Sequence, residues 1–242
     1  MQKGMRSALA LHLPMSLTAA DLVAVALLMI VYFLTAHLIE RPPARLPSVS
    51  VLMKRYRRDW MVQFVHRDAR IFDSNILATL REATSFYASA CMIAIGGGMA
   101  LIGNTAPLAG IARDLDAQEI PALMWRLRIL LVLGFVVNAF LKFVWSHRLF
   151  GYCAIMMAAV PNDADAPQAL RRAMAAAEVN IHAARNFNIG LRAVYFALGA
   201  MGWLLGPWGL MAGTVIVTAL TLRREFASGS RRAILADLGE RR

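Results

Sequence analysis

The sequence FDSNILATLREATSFYASACMIAIGGGMALIG, residues 72–103, decides which class of fold the chain can adopt. Its second half, residues 85–103, contains no charged side chain, and an apolar helix of about 19 residues is long enough to cross a bilayer. Its first half is polar and carries four side chains that bear on function: Asp73, Asn75, Arg81 and Glu82. The stretch therefore predicts an integral membrane protein.

The composition supports this prediction. Of the 242 residues, 59% are hydrophobic and the mean hydropathy is +0.53, whereas soluble domains have about 45–50% apolar residues. The net charge is +11, with 23 Arg and only 3 Lys. Basic residues at the cytoplasmic ends of spans set orientation and attract anionic headgroups. We therefore expect a bilayer with anionic headgroups as the partner, and no nucleic acid.

Further apolar segments lie on both sides of the opening stretch. The first ends at Glu40-Arg41-Pro42-Pro43, because two consecutive prolines cannot continue a helix. We expect one all-α membrane domain over residues 1–242. Its predicted spans are about 22–39, 85–103, 123–144, 190–205 and 207–222. Its predicted cytoplasmic helical segments are about 48–72 and 165–185.

The first cytoplasmic segment is a basic amphipathic helix. Apolar and aromatic residues recur at intervals of three and four from Val49 to Phe64, and basic residues such as Lys54 and Arg57 occupy the other faces. Such a helix suits a membrane surface. It equally suits docking on the protein's own cytoplasmic helices.

The last apolar stretch, residues 193–222, determines the number of spans. It holds about 30 uncharged residues with Gly206-Pro207 in its middle, whereas a single tilted span needs about 20–25. Two short spans joined by a tight turn would use the whole stretch. We therefore predict a five-span bundle, with four spans as the alternative.

The distribution of charge favours five spans. Five spans put the basic regions 40–84, 147–192 and 223–242 in the cytoplasm, and leave the acidic loop 104–120 outside. We therefore expect a bacterial inner-membrane protein with the N-terminus outside and the C-terminus in the cytoplasm. The cost is a short N-terminus outside that carries the basic residues Lys3 and Arg6.

Glycines are predicted to mark close helix contacts, because small residues let membrane helices approach one another. Three consecutive glycines in the second span indicate a central, tightly packed helix. Glycines in the last stretch indicate that its two arms meet. The predicted packing glycines are Gly96, Gly97, Gly98, Gly202, Gly206 and Gly209.

Two stretches carry a family resemblance. They are FDSNILATLREATSFYASACMIAIGG and NFNIGLRAVYFALGAMGWLLGPWGLMAGTVIVTALTLRREFAS. Together they resemble a family of uncharacterised membrane proteins of bacteria and plants, known only as a domain of unknown function. The similarity covers roughly residues 20–230. It implies a membrane fold and implies no chemistry.

No catalytic or metal-binding motif is present in the sequence. The five histidines are far apart, and there is no HExxH motif, no Walker loop and no GxSxG motif. We therefore expect no enzyme activity, no cofactor and no metal site.

Polar residues near the spans are the remaining functional candidates, because they are costly in lipid. In the five-span arrangement the second and fourth spans both start at the cytoplasmic side. Their polar starts could form one vestibule, with Asp73 paired to Arg192; the alternative is local capping. The vestibule candidates are Asp73, Asn75, Arg81, Glu82, Asn186, Asn188 and Arg192. Asn138 and Asn104 are the candidate intramembrane polar residues.

These candidates lead to two functional hypotheses. The first is a channel or transporter-like pore for a small ion or solute, formed by a homo-oligomer, with a slight preference for anions. The second is a non-enzymatic accessory or scaffold subunit that binds anionic lipid or an unidentified membrane complex.

Overall fold

The structure is a computed structural model that describes residues 17–107, 110 and 120–240. No strand occurs within these residues. The helices are α1 (Ala19–Glu40), α2 (Val49–Val65), α3 (Ile71–Gly103), α4 (Ala122–Ala158), α5 (Ala169–Ala200), α6 (Pro207–Phe226) and α7 (Gly229–Glu240). A 3-10 turn, Met201–Leu205, joins α5 to α6.

Four helical segments are long and apolar enough to cross a membrane. They are Ala19–Glu40, Ile71–Gly103, Ala122–Ala158 and Ala169–Leu205. The prediction of an all-α membrane protein is therefore confirmed. α6 is not among the four, so five spans stays a prediction. Lys3, Arg6 and most of the predicted acidic loop lie outside the described residues.

The antiparallel pair of α4 and α5 is the centre of the molecule. α4 has 37 residues and α5 has 32, so by the rise of an α-helix each is about 50 Å long, well beyond a hydrocarbon layer of about 30 Å. A Cβ at Gly190 of α5 would lie 2.7 Å from the Phe143 ring of α4. This contact brings the two helices close together at mid-length.

Two apolar cores lie along this pair. In the first core, α1, α3 and α6 pack on α4 and α5 through residues that include Leu28, Cys91 and Leu210. In the second core, α2 and the start of α3 pack on the other ends of α4 and α5; Met61 and Phe150 are buried there. The amphipathic helix α2 is therefore docked on its own protein.

A short, fixed connection leads from α1 into α2. Pro42 and Pro43 follow α1 and prevent its continuation. The Ser48 hydroxyl donates to the Ile39 carbonyl at 2.8 Å and accepts from the Val51 N–H at 3.3 Å. One side chain thus ties the end of α1 to the N-cap of α2.

The last apolar stretch forms a helical hairpin. Gly206 has φ 99°, a left-handed conformation that favours glycine, and Pro207 begins α6. A Cβ at Gly202 would overlap the Gly209 carbonyl oxygen, and one at Gly199 would lie 3.1 Å from the Gly213 carbonyl oxygen. The two arms therefore meet backbone to backbone.

Within the single chain, Gly98 alone of the glycine triplet makes the predicted close helix contact. Only 6% of the most apolar window of α3 is buried, so α3 lies at the edge of the bundle. A Cβ at Gly96 or Gly97 would meet nothing within 4 Å, whereas one at Gly98 would lie 2.5 Å from Leu133. Gly206 likewise has open space around it and serves the turn rather than a helix contact.

Two predicted helix boundaries differ from the structure. The segment 48–72 is interrupted, because α2 ends at Val65 and α3 begins at Ile71. The segment 165–185 and the span 190–205 belong largely to one continuous helix, α5. The change from polar to apolar sequence there is not accompanied by a proline, and the helix continues through it.

We predict that Gly202→Ala destabilises the protein by roughly 1–3 kcal/mol, because the new methyl group overlaps backbone that cannot move aside as a side chain can. Gly97→Ala is the matched control. It enters open space and should be neutral or stabilising by up to about 1 kcal/mol. Thermal unfolding in one detergent measures both. Equal melting temperatures for Gly202→Ala and the parent would contradict the hairpin contact.

Candidate functional site

A basic crevice of about 500 Å³ lies where the end of α1, the face of α2, the middle of α5 and the end of α6 meet. Six arginine or lysine side chains line it, against three carboxylates. The cations are Arg41, Lys54, Arg57, Arg58, Arg185 and Arg192; the carboxylates are Glu40, Glu178 and Glu225. The crevice is therefore an electropositive hollow at the Glu40 end of the bundle.

Arg192 is the most buried cation of the crevice, at 4% exposure. Its Nη2 donates to Oε1 of Glu40 at 3.0 Å, and Arg185 pairs with Oε2 of the same carboxylate. Burying a charge is costly unless it is paired, so Glu40 is what permits Arg192 to lie at this depth. Nε of Arg192 has no hydrogen-bond partner among the described residues.

The other two carboxylates of the crevice are also engaged. Glu178 accepts from Nε of Arg58 at 2.7 Å on the exposed rim. Glu225 accepts from the backbone N–H of Ser50 at 3.0 Å and from its hydroxyl at 2.9 Å. The Ser50 hydroxyl in turn accepts from Asn188 at 3.3 Å. These bonds tie α2 to α5 and α6 across the crevice.

Three cations of the crevice have no carboxylate partner within residues 17–107, 110 and 120–240. They are Arg41, Lys54 and Arg57. Arg57 donates to the Asn180 side-chain oxygen, a neutral acceptor. Burial lowers the pKa of Arg57, because desolvation disfavours its charged form. A ligand that supplies negative charge here would offset that cost.

The predicted vestibule does not assemble. Asp73 is fully buried, and its Oδ1 accepts from Nε1 of Trp60 at 2.6 Å and pairs with Arg67. Both partners belong to α2 or the link that follows it, whereas Arg192 pairs with Glu40 of α1. The predicted Asp73–Arg192 pair is therefore wrong. Asp73 at the start of α3 and Arg192 within α5 therefore face different neighbours.

The remaining vestibule candidates lie either on α5, near the crevice, or on α3. Asn188 lines the crevice together with Arg192. Asn186 donates only to the His182 carbonyl of its own helix, at 2.9 Å. On the exposed start of α3 lie Asn75, Arg81 and Glu82.

The two intramembrane candidates have local partners. Asn138, half-buried in α4, donates to the Tyr32 hydroxyl of α1 at 3.0 Å. Asn104 is exposed and accepts from the Ala106 N–H at 3.1 Å, just after the end of α3. Asn138 therefore joins two helices, whereas Asn104 stabilises a turn.

Glu40 is the main residue that sequence reasoning missed. In the sequence it marks the end of the first span. An acid at one membrane edge can pair with an arginine at the start of another apolar segment, but this pattern fits Glu40 and Asp73 equally well as the partner of Arg192.

A second buried polar cluster lies at the opposite end of the bundle. Asp21 accepts from Nε1 of Trp203 at 2.7 Å. Arg128 is buried, with its guanidinium carbon 5.4 Å from the Trp125 ring centre and 5.9 Å from that of Trp203. The cluster joins α1, α4 and the 3-10 turn, and its contacts support the hairpin.

Residues for a metal site do not come together in the part of the chain that the structure describes. There, no three His, Cys, Asp or Glu side chains are grouped. Cys91 and Cys153 are buried and are not bonded to each other.

A comparison with known protein families identifies the family of this chain. The family described as "Protein of unknown function, DUF599" matches residues 23–230. The chain belongs to this family. The resemblance noted from the sequence is thereby confirmed. No curated protein and no solved structure matched the chain.

We predict that Glu40→Gln destabilises the protein by roughly 2–4 kcal/mol, because it leaves Arg192 charged and buried without a counter-ion. Glu178→Gln breaks an ion pair whose side chains are 46% and 47% exposed, and should cost less than about 1 kcal/mol. Unfolding by heat or denaturant in one detergent compares them. If the two variants lose the same stability, the Glu40–Arg192 pair is not the buried link described here.

Proposed function

We propose that the protein is a non-enzymatic membrane protein that binds anionic lipid headgroups in its basic crevice and acts as an accessory or scaffold subunit. The observation that supports this is the excess of cations in one shaped hollow. All three carboxylates there are engaged by the protein, and Arg41, Lys54 and Arg57 are left without a carboxylate partner among the described residues. Arginine and lysine are the residues that recognise phosphate groups.

The proposed site lies at the right depth for a headgroup. The crevice begins at Glu40, where α1 stops being apolar, and α2 lies across the same end of the bundle. Each basic residue near an anionic surface contributes about 1 kcal/mol of attraction. Three unpaired cations in one hollow would therefore favour an anionic headgroup over a zwitterionic one.

The orientation belongs to the same proposal. We place the crevice in the cytoplasm of a bacterium, with five crossings of the inner membrane, the N-terminus outside and the C-terminus inside. The hairpin at Gly206 supports five crossings, because α6 runs antiparallel to the end of α5 and ends at the crevice with Glu225. α2 and α7 then share the positive side.

Cysteine labelling tests the orientation. A membrane-impermeant maleimide added outside should label Asp116→Cys and should not label Gly239→Cys until the membrane is opened. The native Cys91 and Cys153 are buried, so the parent provides the background. Labelling of both engineered positions from outside would contradict five crossings and support four.

We predict that phosphatidylglycerol stabilises the protein against heat more than phosphatidylcholine does. The double variant Arg41→Gln/Lys54→Gln should bind phosphatidylglycerol about tenfold or more weakly, because two attractive charges of about 1 kcal/mol each are removed. Arg171→Gln/Arg232→Gln removes two exposed charges outside the crevice and is the matched control. Native mass spectrometry of lipid titrations measures the affinity.

Two results would count against this function. One is equal binding of the two lipids by the parent protein. The other is an equal loss of phosphatidylglycerol affinity in the crevice variant and in the control variant, since that result would assign the effect to overall charge.

The second candidate function is a homo-oligomeric channel or transporter-like pore with a slight preference for anions. The exposed face of α3 favours it, because Gly96 and Gly97 leave open space that a second copy could approach closely. A liposome flux assay with several ions separates the candidates, since a lipid-binding subunit conducts none of them.

A further inference from the structure

An apolar groove of about 570 Å³ runs between α1 and α4. Phe33 and Leu130 are 62% and 50% exposed along it, so it opens sideways rather than into the bundle. Gly134 adds to its depth, because a Cβ there would meet nothing within 4 Å. Its other lining residues include the apolar Met29, Ala36, Leu131, Phe135 and Ile189.

The groove and the basic crevice are continuous. Glu40, Ile189 and Arg192 line both. Asn138 and Lys142 of α4 line the groove as well. The apolar groove on the side of the bundle therefore leads to the buried guanidinium of Arg192, which also lines the crevice.

Two cationic groups that line the groove lack full pairing. Nε of Arg192 is buried and has no partner in the described part of the chain, although a buried guanidinium normally pairs its N–H groups. Lys142 is half-buried and forms no hydrogen bond or ion pair with any described residue. Both donors line the groove, and Arg192 also lines the crevice.

The length of the groove matches a lipid tail. From Met29 to Glu40 along α1 the distance is about 16 Å at the rise of an α-helix. That is about half of a hydrocarbon layer of about 30 Å, the depth that the acyl chain of one leaflet occupies. The polar end of the groove therefore lies at the level expected for a headgroup.

We propose that the crevice and the groove form one site for an anionic phospholipid that enters from the bilayer. Its headgroup is held by Arg192, Lys142 and the crevice cations, and one acyl chain lies between α1 and α4. This inference rests on the proposed function, because it adds the acyl chain to the headgroup site. It makes the ligand an individual bound lipid rather than the general anionic surface.

The first test fills the groove. Gly134→Leu places a side chain in the open space of the groove, and Gly103→Leu places the same side chain in open space at the end of α3. Native mass spectrometry measures binding of dioleoyl phosphatidylglycerol. We expect about tenfold weaker binding for Gly134→Leu, the loss expected when two buried methylene groups are displaced, and parental binding for Gly103→Leu.

The second test needs no variant. The parent is titrated with phosphatidylglycerol carrying short or long acyl chains, with glycerol phosphate, and with phosphatidylcholine of the same chain lengths. We expect affinity for phosphatidylglycerol to rise with chain length relative to phosphatidylcholine, and glycerol phosphate alone to bind weakly. This titration tests whether the groove binds an acyl chain even if Gly134→Leu does not fold.

The outcomes separate the two proposals. If the parent prefers phosphatidylglycerol to phosphatidylcholine, but Gly134→Leu binds like the parent and chain length has no effect, the groove is not part of the site and the crevice function survives. If the parent does not distinguish the two headgroups at any chain length, the proposed function itself fails. Tight binding of glycerol phosphate alone would show a site for a soluble phosphate and would overturn the lipid proposal.

Discussion

The close antiparallel packing of α4 against α5 is the interaction on which the rest of the structure depends. Gly190 lets the Phe143 ring approach the backbone of α5, and the Ser146 hydroxyl donates to the Ala183 carbonyl at 2.8 Å. Because both helices extend well beyond a bilayer, one pair supports an apolar core in the membrane region and a second core beyond it. The other helices gain most of their stability from packing against this pair, because isolated helices are only marginally stable.

This packing also sets the position of Arg192. α5 passes from the second core into the first, and Arg192 lies on it where the two cores meet. The end of α1 brings Glu40 to the same level, so the charge is paired. Burying an arginine between an apolar groove and a basic crevice costs free energy, and such residues commonly have a functional role. We infer that Arg192 holds the headgroup of a bound lipid.

The helices could be predicted from the sequence because their signals are local. Gly206-Pro207 predicted a break in the last apolar stretch, and the hairpin lies there. The segment 165–185 and the span 190–205 were predicted separately, and the structure joins them in α5, because a change of polarity does not end a helix. The arrangement around the bundle was not predictable from such signals. Asp73 and Arg192 both lie where polar sequence gives way to an apolar segment, yet only tertiary packing decides that Trp60 meets one and Glu40 the other.

The measurement that tests the account most directly is an experimental structure in nanodiscs containing phosphatidylglycerol. The account predicts density for one phospholipid, with its phosphate within hydrogen-bonding distance of Arg192 or Lys142 and an acyl chain along Gly134 between α1 and α4. An empty groove with Arg192 bound only to Glu40, in a bilayer rich in phosphatidylglycerol, would contradict it.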